Sequence, residues 1–146
     1  MHEQGGRAMN RNTDQFQKDL RQNLSMVVTA CDRFITMANE RMTGTEQELR
    51  GQLIEIEKAI EQRQVRMAAA RADLNRWMGE EKFETSEKIA NWKATRRTDK
   101  LHARADRYER CSNTAIEIAA AMMEEAEQWA FRALLARKEA ISIQVK

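Results

Sequence analysis

The sequence lacks proline entirely and has only five glycines in 146 residues. These are the two residue types that most often interrupt helices, so little in the chain opposes long helices. Aromatic residues make up only 5% of the chain, which is a poor composition for strands. Together these shortages predict an all-α protein with long helices and no sheet.

Long apolar runs are also missing. The longest, Ile118 to Met123, is far shorter than the roughly 18 residues of a membrane-spanning helix. The first residues show no apolar core of a signal peptide. The two cysteines, Cys31 and Cys111, do not form a Cys-x-x-Cys pair and fit a reducing compartment. We therefore expect a cytoplasmic protein without a transmembrane segment.

Catalytic motifs are absent from the sequence. It contains no glycine-rich phosphate loop and no nucleophile elbow. The only histidines are His2 and His102, and His2 lies in the N-terminal segment that is expected to be flexible, so no two-histidine metal site is expected within one chain. We expect no enzyme activity, no cofactor and no metal site. The acidic residues Glu117, Glu124, Glu125 and Glu127 are interpreted as a solvated face, because a narrow helical bundle rarely provides a cleft that perturbs carboxylates.

The domain boundaries follow from helix-breaking and capping residues. Residues 1–12 hold two glycines and no periodic apolar face, so they are expected to be a flexible lead. A single helical domain is predicted over 13–140, with its main turn near 79–86 around Gly79 and the polar run that follows it. Residues 141–146 are expected to be a frayed tail.

Gly44 leaves two arrangements open for the first half of the domain. Gly44 can end a helix, and Thr45 with Glu48 matches a capping box for a new one. The apolar spacing nevertheless continues through this point, so one helix from about 13 to 78 is also consistent with the pattern. A continuous first helix would form a long antiparallel hairpin, similar to a coiled coil, with the helix after the main turn. In this hairpin, residues whose numbers add to about 160 would lie opposite each other. If the chain instead turns at Gly44, the domain becomes a three-helix arrangement. The near-equal arms favour the hairpin.

Residues 24–42 and 118–136 are apolar over more than one helical stripe. A two-helix pair buries only one face of each helix, so the second face needs another chain. We therefore predict a homo-oligomer, a dimer or larger, assembled as a multi-chain helical bundle. The predicted self-association interface consists of Val27, Phe34, Ile35, Ile118, Met122, Trp129, Leu134 and Leu135.

A basic segment between residues 88 and 110 offers a second functional hypothesis, although the net charge of the whole chain is only +2. Five cations recur there at helical spacings of four and three, and form a candidate stripe for nucleic acid or anionic lipid. They are Lys93, Arg97, Lys100, Arg104 and Arg107. In the hairpin register, glutamates between 48 and 61 face this stripe, so ordinary ion pairing between helices is the favoured explanation of it.

The function predicted from sequence is a non-enzymatic helical assembly or interaction protein, with a structural or scaffold role. Its partners are predicted to be further copies of itself and a protein partner. The alternative is a protein that binds nucleic acid or an anionic membrane surface through the basic stripe. Salt separates the two, because phosphate binding weakens steeply as salt rises and apolar assembly does not.

Overall fold

The structure, a computed structural model, describes the backbone of residues 2–40 and 44–145 and the side chains of residues 13–40 and 44–144. The described residues form helices and turns without a strand, so the all-α prediction is confirmed. The helices are α1 (His2–Glu40), α2 (Glu46–Glu81), α3 (Ser86–Ala94) and α4 (Thr98–Val145).

Helix α1 begins at His2, inside the segment expected to be a flexible lead. Glycine lowers helix propensity by about 1 kcal/mol per residue but does not forbid a helix, which accounts for this early start. Met1 lies outside the described residues. At the other end α4 continues to Val145, through most of the segment expected to be a frayed tail, and Lys146 lies outside the described residues.

Gly44 lies at a corner. Helix α1 ends at Glu40 and α2 begins at Glu46, so the continuous helix favoured by the sequence is not found. The backbone N–H of Glu48 donates to Thr45 Oγ1 at 3.2 Å, which is the N-cap bond of the predicted capping box. The cap satisfies a free amide of the new helix and thereby favours the break. Residues 41–43, which complete the connection, lie outside the described residues.

The chain turns again between α2 and α3. Helix α2 ends at Glu81 and α3 begins at Ser86, so the connection falls within 79–86. Thr85 caps α3, because its side-chain oxygen accepts a hydrogen bond from the backbone N–H of Lys88 at 3.2 Å. Gly79 itself lies within α2, a few residues before the turn.

A second break, between α3 and α4, was not predicted. The sequence suggested one helix from this turn to about residue 140, but the chain leaves the helix between Ala94 and Thr98. Arg97 N–H donates to Trp92 O at 2.8 Å and Arg96 N–H to Lys93 O at 3.3 Å, which is the bonding pattern of a Schellman motif. Arg96 has a φ of 55°, the left-handed conformation that this motif requires.

The chain divides into two compact units. The first unit consists of residues up to Leu24 together with Ala69–Glu117, and the second of Ser25–Ala68 together with residues from Ile118 onward. Each unit therefore contains parts of α1, α2 and α4, and the first also contains α3.

The second unit has a small three-helix core. Met37 of α1, Leu49 of α2 and Phe131 and Leu135 of α4 are buried together. Leu49 and Phe131 have no exposed surface. The partly buried side chains of Phe34, Leu53, Ile56 and Leu134 pack around them. The second unit thus has the three-helix packing of the alternative arrangement.

The helix pairing in the second unit differs from the predicted hairpin register. That register placed Arg63 near residue 97, but Arg63 contacts Glu124. Arg132 contacts Glu57 at 3.2 Å and Arg50 contacts Glu139 at 3.0 Å, which fixes α2 antiparallel to α4. The register reflects the connection between α2 and α4, which includes α3 and is longer than the predicted turn.

The first unit relies more on polar contacts. Among the described side chains it contains one buried hydrophobic residue, Ala70, which is 8% exposed. Asn23 of α1 donates a hydrogen bond to Asn113 of α4 at 3.0 Å, and Tyr108 of α4 donates to Glu81 of α2 at 2.9 Å. Arg110 lies over the ring of Trp77, 5.7 Å from its centroid. Amide, phenol and cation–π contacts therefore link the helices of this unit.

Candidate interaction surfaces

Two glutamates of α4 are buried in the second unit, which corrects the interpretation of this acidic segment as a solvated face. Glu124 and Glu127 are 8% and 6% exposed. The Glu124 carboxylate accepts a hydrogen bond from Arg63 and lies 3.6 Å from Arg33, so cations of α1 and α2 both neutralise it. Such pairing makes burial of a carboxylate tolerable. The sequence pattern gave no sign of the pair, because neither arginine belongs to an obvious charged motif.

A cleft of about 320 Å³ opens beside these glutamates. Its lining is mixed, with apolar side chains from all three helices and both buried carboxylates. The side-chain oxygen of Gln52 in the same lining is buried without a hydrogen-bond partner. The lining residues are Arg33, Met37, Gln52, Glu55, Ile56, Ala59, Glu124, Glu127 and Phe131.

The predicted self-association residues divide into three groups. Leu135 is buried in the core of the second unit, and Phe34 and Leu134 pack against that core, so all three are used inside the chain. Val27 and Ile118 are half-buried. The remaining three are exposed, at 57% for Ile35, 47% for Met122 and 63% for Trp129.

Met122 and Trp129 belong to a longer exposed row on α4, here called the outer seam. Its members recur at spacings of three and four, which places them along one face of the helix. They are Ala119, Met122, Ala126, Trp129, Ala133, Ala136, Ala140 and Ile143, and every one is exposed. The row extends for about 36 Å at 1.5 Å per residue.

The outer seam lies on the side of α4 away from the core. The buried residues of α4 recur on the opposite side of the helix wheel. They are Ala121, Glu124, Glu127, Phe131 and Leu135. Helix α4 therefore has two apolar faces in this unit. One is packed against α1 and α2, and the other is in solvent.

Helix α1 also carries exposed apolar side chains in the second unit. Val28 and Ile35 are both 57% exposed, and Cys31 between them is half-buried. Ala38 continues the same spacing and is exposed. This row has four members, half as many as the outer seam.

Glu84 organises the cations of the first unit. Its carboxylate accepts a hydrogen bond from Arg107 and lies 3.6 Å from Nε of Arg104. The side chains of Glu84 and Arg107 are only 13% and 12% exposed. The hydrogen bond to Glu84 raises the pKa of Arg107 above its ordinary value. Both arginines also lie over the ring of Tyr108, with Arg104 4.9 Å from the centroid.

The five stripe cations do not lie on one continuous helix, because the break at residues 95–97 separates them. Lys93 is in α3, Arg97 is in the connection, and Lys100, Arg104 and Arg107 are in α4. Arg104 and Arg107 pair with Glu84, so these basic residues do have an acidic partner. Glu84 is not one of the glutamates that the hairpin register placed opposite the stripe. Lys93, Arg97 and Lys100 are exposed.

Arg97 forms a two-bond pair with its neighbour Asp99. Nε and Nη2 of Arg97 donate to the two carboxylate oxygens of Asp99 at 3.1 and 3.0 Å. This hydrogen bonding lowers the pKa of Asp99 from 3.8 to about 2 and raises that of Arg97. The ion pair partly neutralises the positive charge at the centre of the stripe. The two lysines of the stripe, Lys93 and Lys100, are exposed on either side of it.

Within the described residues, no three histidine, cysteine or acidic side chains are grouped so that they could hold a metal ion. No helix of the described ranges is long and apolar enough to cross a membrane. Comparison with protein-family models, curated proteins and solved structures found no match to this chain.

Proposed function

We propose that this protein is a non-enzymatic assembly protein that associates with further copies of itself through the exposed apolar faces of its helices. The observation that carries the proposal is the outer seam of α4, an apolar row of eight exposed positions with coiled-coil spacing. Monomeric proteins rarely expose long continuous apolar surfaces, because covering such a surface is favourable by about 25 cal/mol per Å².

The basic stripe supports the alternative function less well. Two of its five cations are held by Glu84 and a third is paired with Asp99. A surface that binds phosphates needs cations that can reach them, and ion pairs inside the chain compete for the same N–H groups. Self-association is therefore the function that the geometry favours.

The proposal is tested by the molar mass of the native chain in solution. Light scattering on a size-exclusion column, at about 0.1 M and 1 M salt, compares conditions in which the Debye length falls from roughly 10 to 3 Å. We expect the mass of a dimer or larger species at both salt concentrations, because apolar association is not weakened by salt. A monomer at both would contradict the proposal.

A further inference from the structure

We infer that the outer seam of α4 binds the outer seam of a second copy in the antiparallel direction, with Trp129 of each copy packed on Ala126 of the other. This inference rests on the proposed self-association and adds the surface, its occupant and its orientation. It is carried by the sizes of the seam side chains and by the charges that flank them.

The sizes of the seam residues favour antiparallel pairing. In the antiparallel register in which Trp129 faces Ala126 of the second copy, here called the central register, Met122 faces Ala133 and Ala119 faces Ala136, while Ala140 and Ile143 extend past the seam of the second copy. Trp129 and Met122 each meet an alanine, which lets the two helices approach closely and leaves few voids. Parallel pairing would instead place Trp129 on Trp129 and alanine on alanine, with crowding in one layer and voids in the next.

The flanking charges favour the same orientation. Glu125 and Arg132 lie on one side of the seam, seven residues apart. In the central antiparallel register Glu125 faces Arg132 of the second copy, twice by symmetry. In parallel pairing Arg132 faces Arg137 of the second copy, a like-charge contact. Arg132 also contacts Glu57 within the chain, but a guanidinium has five N–H donors and can serve both carboxylates.

The charges also select the register. A shift of the antiparallel pair by one heptad toward the end of α4 places Glu125 opposite Glu139 and Arg132 opposite Arg132 of the second copy. The opposite shift places Glu125 opposite Glu125. Both neighbouring registers therefore contain like-charge contacts that the central register avoids. On the other side of the seam, Met123 faces Ala130 of the second copy, an apolar contact.

Crosslinking of single cysteines tests the orientation. In a background with Cys31→Ser and Cys111→Ser, the variants Ala119→Cys and Ala136→Cys place one thiol each at exposed seam positions. We expect a mixture of the two to form a crosslinked dimer with a short bis-maleimide reagent, and neither variant to do so alone. In the antiparallel pair, residue 119 of one copy lies about 26 Å along the helix axis from residue 119 of the other copy, at 1.5 Å per residue. A short reagent cannot span that distance. Val65→Cys, at an exposed site on α2, is the control and should not link to Ala119→Cys.

The outcomes separate this inference from the proposed function. Light scattering and circular dichroism first confirm that the serine background keeps the mass and helicity of the native chain. If that background is dimeric and Ala119→Cys links to itself, the pair is parallel and the inference is wrong. If it is dimeric and no seam pair links, another surface forms the dimer and the inference is again wrong. A monomeric native chain contradicts the proposed function itself.

Discussion

Glu84 pairs with two arginines in the first unit. One carboxylate serves Arg104 and Arg107, and it does so at a site with little solvent. We expect Glu84→Gln to lower the free energy of unfolding by about 1–3 kcal/mol, because two half-desolvated guanidinium groups lose their counter-charge. Chemical denaturation followed by circular dichroism measures this change.

The control for Glu84 is Glu87→Gln, three residues away on the exposed surface of α3. It removes the same charge without a buried partner and should change the free energy of unfolding by less than about 0.5 kcal/mol. Equal effects of the two substitutions would mean that the general loss of an acidic group, and not the pairing at Glu84, is responsible.

At the same scale, the sequence indicated that the basic residues have acidic partners but not which acids these are. Ion pairing depends on which helices are neighbours, and the periodicity of charge along one helix does not contain that information. The burial of Glu124 illustrates the same limit, since its partners Arg33 and Arg63 are on two other helices.

Arg96 decides where α3 ends. It occupies the left-handed position of the Schellman motif, a position that glycine normally fills because it has no Cβ. We expect Arg96→Gly to raise the free energy of unfolding by about 1 kcal/mol through relief of this strain. Thermal and chemical denaturation measure the gain.

Arg96→Ala is the matched variant, because it removes the same side chain but keeps a Cβ in the left-handed conformation. It should give no such gain. If alanine stabilises the protein as much as glycine does, the effect comes from removing positive charge near Arg97 and Lys100, and backbone strain at Arg96 is not its cause.

The elements themselves were largely predictable, and their breaks were predictable only where a residue type marked them. The absence of proline predicted helices, and the Thr45–Glu48 capping box and the polar segment after Gly79 marked two connections. The connection at residues 95–97 has an arginine where glycine is usual, so no composition signal identified it. At Gly44 two signals conflicted, and the cap at Thr45 outweighed an apolar spacing that continued without interruption.

For the whole molecule, the sequence predicted more apolar surface than one chain can bury, but it did not show which face of α4 lies inside. Phe131 and Leu135 form the core face, and Met122 and Trp129, with coiled-coil spacing, form the exposed one. In the sequence, the apolar residues of both faces repeat at helical spacing, so the pattern alone does not tell the buried face from the exposed one. Only the packing of α1 and α2 against α4 distinguishes them, and that packing depends on the corner at Gly44.

The central claim is that the outer seam of α4 joins copies of this protein, and the most direct test compares two single substitutions by light scattering. Trp129→Glu places a charge in the middle of the seam, while Val65→Glu places the same charge at an apolar site that is 83% exposed on α2 and outside the seam. Both side chains are exposed, so neither change disturbs the core. We predict that Trp129→Glu is monomeric and that Val65→Glu keeps the mass of the native assembly. A Trp129→Glu variant with the native mass would contradict the account.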